Sequence, residues 1–301
     1  MEKTDKEAFI IFNSIGNPDK DLIGTAVVYS IKEAYPRHKI IVITNFPEIW
    51  LHNPQVYRVY KAGLAPYFYD DFVDGKDSFI FWQNPYNSSD VILKKKHIIE
   101  AWCDLCNVPF KKIRPHVFLT QREHEVTRKI LGLVKPTNPI FLIQTHSEAF
   151  PGQTYVWDRD IPTKIGEKVV MEMTKLGYKT LQLCTGKEPV LSNAQPIRLD
   201  LRQTLCAISF SDSRLLINSF SQHAASAMGK KSAIFWVGQD PTLAGYPLHV
   251  NIIPDSTNKL GQFVSTWNEI YQSDAVGEVR PPFPVEDFYS PDDIVNQITN
   301  I

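Results

Sequence analysis

The chain has 301 residues, more than one ordinary domain, and this length predicts two domains of about 130–150 residues each. Its 43% hydrophobic and 22% charged side chains are a globular balance able to bury a core, which excludes a disordered or low-complexity chain. With 32 basic against 33 acidic side chains the formal charge is −1, so charge lends a nucleic-acid or anionic-membrane partner no support without ruling one out.

The charged start, Met1 to Glu7, leads into an apolar run over residues 8–12. That run is too short for a signal-peptide core with its cleavage site, and no later stretch reaches the roughly 18 apolar residues of a membrane span. Four cysteines, Cys103, Cys106, Cys184 and Cys206, include one CxxC. No second CxxC or Cys/His pair follows at zinc-ligand spacing, so these read as reduced thiols of a cytoplasmic protein with no metal site.

Residues 9–13 read as a buried strand, and Ser14-Ile15-Gly16-Asn17-Pro18 as loop chemistry. Residues 22–34 then read as a helix, with Ile23, Val27, Ile31 and Ala34 on one face. Pro36 ends it, and residues 39–44 (KIIVIT) are a second buried strand. Strand, helix and strand in this order form a βαβ unit, which argues for a parallel sheet. Residues 78–82 make a further strand. Residues 92–107 read as a helix carrying Lys94-Lys95-Lys96-His97 as a solvated face, and a polar helix over 121–132 closes the first half.

A proline-bounded linker, residues 135–139, precedes a second βα series. Strands are predicted at 140–144, 179–184, 214–218 and 232–237, and helices at 164–176, 201–210 and 221–228. Gly177 stands where a helix ends in a left-handed residue. The tail runs through Pro281-Pro282-Phe283-Pro284, which cannot be helical. Ser290-Pro291-Asp292-Asp293 then reads as N-cap, proline at N1 and acidic first turn of a final helix, 291–298. The predicted organisation is an α/β chain with an N-terminal Rossmann-like domain at 1–135, a second at 136–280, and a crossing segment with a terminal helix at 281–301.

Several stretches carry a pattern. Arg159-Asp160-Ile161-Pro162 is followed fourteen residues later by Gly177-Tyr178-Lys179 before a strand. Downstream, Ser211-Asp212 leads to Asn218-Ser219-Phe220 and then to His223-Ala224-Ala225-Ser226-Ala227-Met228-Gly229-Lys230, with Gly238-Gln239-Asp240-Pro241 beyond. Near the start stand Ile15-Gly16-Asn17, Gly24-Thr25-Ala26 and Ile31-Lys32-Glu33-Ala34-Tyr35-Pro36. In order and spacing, over nearly the whole chain, these segments resemble glycosyltransferase family 9, the ADP-heptose:lipopolysaccharide heptosyltransferase-like enzymes.

That resemblance implies a GT-B fold, in which two Rossmann-like domains face across a cleft and the C-terminal helix crosses back to the first domain. It implies transfer of a sugar from a nucleotide-sugar to an acceptor hydroxyl on a glycan, lipopolysaccharide, protein or modified base, inverting and metal-independent, with no cofactor. The nucleotide-sugar would be held by the second domain through Thr145, His146, Arg159, Glu188, Asn218, Ser219 and His223. Parallel-strand ends and the helix N-termini after them suit a pyrophosphate, and Arg159 would stabilise the departing diphosphate. The acceptor-side loop would include Gly16 and Asn17. The family places its catalytic aspartate where this chain has Asn17, so Asp21 or Asp19 would serve as general base. Asn218 and Phe220 replace an aspartate and a glycine of the family pattern, which leaves the donor sugar open. A non-catalytic nucleotide-sugar-binding protein, or an epimerase or hydrolase of the same fold, are the alternative readings.

Overall fold

The computed structural model describes residues 6–111, 114–134, 137–147, 156, 159–186, 188–254 and 285–301. The chain divides into two compact units, Met1–Phe118 and Leu119–Ile301.

In the first unit β1 (Ala8–Asn13), β2 (Lys39–Thr44), β3 (Val56–Lys61) and β4 (Asp77–Phe81) form a parallel sheet in the order β3-β2-β1-β4. The helices are α1 (Pro18–Ala34), α2 (Phe68–Phe72), α3 (Ser89–Ile92) and α4 (Ile98–Leu105). Helix α1 begins four residues earlier than the periodicity predicts. The Asn17 side chain caps it by accepting from the Lys20 N–H, with Pro18 at N1 and Asp19 and Asp21 in the first turn. Apolar periodicity misses such a turn because its residues are polar.

The helix is buried over most of its circumference rather than on one stripe, while Ala34 at its end is exposed. Phe12 of β1 packs beneath it, with the Trp50 and Trp102 rings at 6.2 and 5.0 Å. Gly24 makes the close approach possible, since a Cβ there would lie 3.1 Å from the Phe12 ring and 3.3 Å from Trp102. The other face of the sheet buries Phe9 and Ile41 under Phe72 of α2.

The single helix expected over 92–107 is two, α3 and α4. Lys94 breaks it by taking a left-handed backbone (φ 53°), and the His97 ring caps α4 by accepting from the Ile99 N–H. The lysines therefore sit in a connecting turn. Lys96 is tied there to Asp90 and Asp104.

In the second unit β5 (Ile140–Ile143), β6 (Lys179–Leu183), β7 (Ala194–Ile197), β8 (Ser213–Ile217), β9 (Ala233–Phe235) and β10 (Val250–Ile252) form a parallel sheet in the order β10-β9-β8-β5-β6-β7. The helices are α5 (Gln121–Ile130), α6 (Thr163–Lys175), α7 (Leu201–Phe210), α8 (Phe220–Ala227), α9 (Pro241–Ala244) and α10 (Pro291–Thr299). The division of the chain falls before α5 and not at the proline-bounded segment, because α5 packs on α7. Both helices start with a capping box. The α5 box glutamate, Glu123, is also gripped by Arg202 of α7 through two N–H groups at 2.7 and 2.9 Å.

The core of this unit runs from Phe141 and Ile143 through Val169, Met173, Leu215, Ile217 and Phe235 to Ile294, Val295 and Ile298. The terminal helix packs on α6 and β8 of the second unit. Tyr289 just before it stacks on Phe235 with ring centroids 4.2 Å apart. The segment 281–284 lies outside the described residues.

Candidate functional site

An open parallel sheet binds ligands where its strand order reverses, outside the carboxyl ends of the strands. In the second unit the reversal falls between β5 and β8. The residues that leave those two strands are Gln144-Thr145-His146 and Asn218-Ser219. They meet across the reversal, where the Ser219 hydroxyl donates to Gln144 Oε1 at 2.8 Å. Gln144 Nε2 in turn donates to the His146 carbonyl at 3.1 Å. His146 Nδ1 lies 2.8 Å from the Thr145 hydroxyl, and burial holds this imidazole below its usual range while Glu188 opposes the shift. Apart from the half-buried Asn218, every one of these side chains is buried.

On the far side of β8, Asn218 is the middle of a carboxamide ladder. It donates to Gln239 Oε1 and accepts from Gln222 Nε2, and Gln222 continues to the Ala244 carbonyl at 3.3 Å. An amide can fill this place because it both donates and accepts. His223, one turn into α8, shares a hydrogen bond of 2.8 Å with the Tyr246 hydroxyl. The predicted residues Asn218 and His223 are thus joined to the segment after β9. Sequence reasoning missed Gln222, Gln239 and Tyr246, whose only signal lay in adjacent motif residues.

Glu188 is nearly fully buried. Its carboxylate accepts from the Thr185 N–H at 2.5 Å and the Gly186 N–H at 2.7 Å, so it closes the turn after β6. Arg159 is half-buried. Its Nε is buried and has no hydrogen-bond partner among the described residues.

In the first unit the strand order reverses between β1 and β4. The β1–α1 connection there holds Gly16, Asn17 and, in the first turn of α1, Asp19 and Asp21. Asp19 is half-buried, whereas Asp21 is fully buried. The Thr44 hydroxyl donates to one Asp21 oxygen and the Trp50 indole N–H to the other, each at 2.6 Å. Burial pushes the Asp21 carboxyl up to about 6, against the hydrogen bonds from Thr44 and Trp50 and the charge of Lys20. Lys20 folds back over Gly16, where a Cβ would come within 2.9 Å of it. Its ammonium donates to the Ile15 carbonyl at 3.0 Å and lies over the Trp102 ring. Asn45 Nδ2 donates to the Gly16 carbonyl at 3.2 Å.

Cys103 and Cys106 are buried, free thiols, pushed up to about 11 and about 12 by burial. Among the described residues no three His, Cys, Asp or Glu side chains group to hold a metal ion. None of the described helices is long and apolar enough to cross a membrane.

No protein-family model and no curated protein sequence matches the chain. Solved structures do. The glycosyl transferase family 9 from Veillonella parvula DSM 2008 superposes with a TM-score of 0.72 at 11% identity, over 100% of this chain and 98% of that one. The E. coli ADP-heptose lps heptosyltransferase II gives 0.62 at 11% identity, over 88% and 96%. The iron-containing dodecameric glycosyltransferase TibC from enterotoxigenic E. coli H10407 gives 0.61 at 12% identity, over 83% and 66%. The fold is theirs, the GT-B class. Two parallel α/β units in one chain are common to it and to the sequence-based expectation.

Proposed function

We propose that the protein is a glycosyltransferase that moves a sugar from a nucleotide-sugar to an acceptor hydroxyl. The observation that carries this reading is the polar reversal of the second sheet, where Gln144 and Ser219 meet at 2.8 Å. It lies on a fold shared along the full chain with a family 9 transferase. The donor's pyrophosphate would lie at the ends of β5 and β8. There Thr145, Asn218, Ser219 and the backbone amides at the start of α8 offer neutral donors, and Arg159 brings positive charge. As the sugar–oxygen bond breaks, negative charge grows on the diphosphate, and Arg159 would stabilise it without a resident metal. His146 and His223 would shape the pocket beside the sugar. Glu188 would act indirectly, by holding the turn after β6.

On the acceptor side the β1–α1 connection supplies two carboxylates. Asp19 is the one that a hydroxyl could reach, and it would take the proton as the hydroxyl attacks the anomeric carbon from the face opposite the diphosphate, inverting it. Asp21 would hold that connection in place. The four free cysteines, all buried, support a reducing compartment such as the cytoplasm. A second reading, a nucleotide-sugar-binding protein without transfer, is favoured by Asn17, an amide where the family places its catalytic aspartate.

A thermal-shift screen against ADP-, GDP-, UDP- and CMP-sugars tests the donor site. A specific donor at a hundred times its Kd should add about 2.7 kcal/mol of stability, and Ser219→Ala should reduce the shift. If no nucleotide-sugar raises the midpoint, the donor site is wrong. If a donor binds and no acceptor takes its sugar, the second reading stands.

A further inference from the structure

Asp160 lies beside Arg159 and is fully buried. One carboxylate oxygen accepts from the Ser147 N–H at 3.0 Å and from the Ser147 hydroxyl at 3.3 Å. The other accepts from the Val156 N–H at 2.7 Å. One residue further, the Ile161 N–H donates to the Thr145 carbonyl at 2.8 Å. The strand end that carries Thr145, His146 and Ser147 is therefore laced to the segment that carries Arg159, and Asp160 is the clasp. All three groups on the carboxylate are donors, so the ionised form is the one that holds both sides fully.

The usual cause for keeping a buried carboxylate is a partner charge, yet here the partners are neutral amides and a hydroxyl. Burying an acid this way is costly for a fold that needs only to close a connection. The expense is intelligible where backbone position matters to a fraction of an ångström. Arg159 supplies that reason, because a guanidinium binds an anion only as well as its backbone is placed.

We propose that Asp160 is a positioning residue for the donor site, holding Arg159 and the Thr145–Ser147 strand end in the register that binds the pyrophosphate. This inference rests on the glycosyltransferase reading. It also fixes a pH signature. Burial pushes the Asp160 carboxyl up to about 7, opposed by the Val156 and Ser147 hydrogen bonds and by Arg159. Arg159 is its charged neighbour, and His146 on the adjoining strand end is held toward its neutral form by burial. Because the folded value lies above the unfolded one of 3.8, this group adds stability as pH falls from about 7 toward 4. Protonation at the same time removes the charge that holds the clasp. Acidification should thus weaken donor binding through this residue while stabilising the fold, a combination that a purely structural role does not give.

The test is calorimetric titration of the full chain with ADP-glucose, UDP-glucose and GDP-mannose, whose diphosphodiesters keep constant charge over this range. The wild type should bind one of them with an affinity that falls severalfold between about pH 8 and about pH 6. Asp160→Asn should bind roughly tenfold more weakly at the upper pH and show a flat profile. Asp160→Asn that binds like the wild type, with the same pH dependence, overturns the positioning role and leaves the donor site standing. Failure of the wild type to bind any nucleotide-sugar overturns the donor site, and the positioning role with it. Should Asp160→Asn fail to fold, the wild-type profile decides alone: affinity independent of pH overturns the proposal.

Discussion

Asp19 and Asp21 stand two residues apart in one helical turn, and their surroundings differ. Asp21 is held by Thr44 and Trp50, and Thr44 also accepts from the Phe46 N–H. An Asn at 21 could keep this arrangement, since its amide can donate to Thr44 and accept from Trp50. Asp21→Asn should therefore fold normally and retain transfer, whereas Asp21→Ala should lose about 1–3 kcal/mol by leaving buried donors unmet. Asp19→Asn should still fold and lower kcat about a hundredfold or more. Steady-state rates and thermal melts on the three variants check this. An inactive but folded Asp21→Asn beside an active Asp19→Asn would exchange the two roles. Sequence alone could name both aspartates but could not rank them. Their difference comes from Thr44 and Trp50, which are distant in the chain and carry no motif.

At the scale of elements, the strands that could be read were mostly those buried on both faces, the exception being the half-exposed edge strand β4 with its apolar Phe79-Ile80-Phe81 run. KIIVIT and SAIFWV are near-continuous apolar runs of the kind a parallel sheet requires. The missed strands lie toward the sheet edges: β3 (VYRVYK) is charged and half-exposed, β7 (AQPI) contains a proline, and β10 is three residues long. The start of α1 was missed for another reason. Asn17-Pro18-Asp19 is the same cap, proline and acid sequence that correctly marked α10 at Ser290-Pro291-Asp292, but it lies outside the apolar repeat. Placing α1 also depends on Gly24. Gly24→Ala should force Phe12 or Trp102 aside and cost about 1–3 kcal/mol, visible as a lower urea midpoint with an unchanged slope. A midpoint equal to the wild type would show that the packing of α1 on β1 is looser than these distances state.

At the scale of the whole molecule, the residues that meet at the reversal of the second sheet were legible because they fall at strand ends in a recurring order. Under the donor-site reading only the second unit binds nucleotide-sugar, so a bound donor should protect that unit from opening and leave the first as it was. The cysteines offer a way to see this. Cys103 and Cys106 belong to the first unit and Cys184 and Cys206 to the second. All four are buried and held as thiols by burial, so a thiol reagent reaches each pair only when its own unit opens. The wild-type chain thus carries a separate unfolding reporter in each half. Saturating donor should slow labelling at 184 and 206 while 103 and 106 react at their former rate.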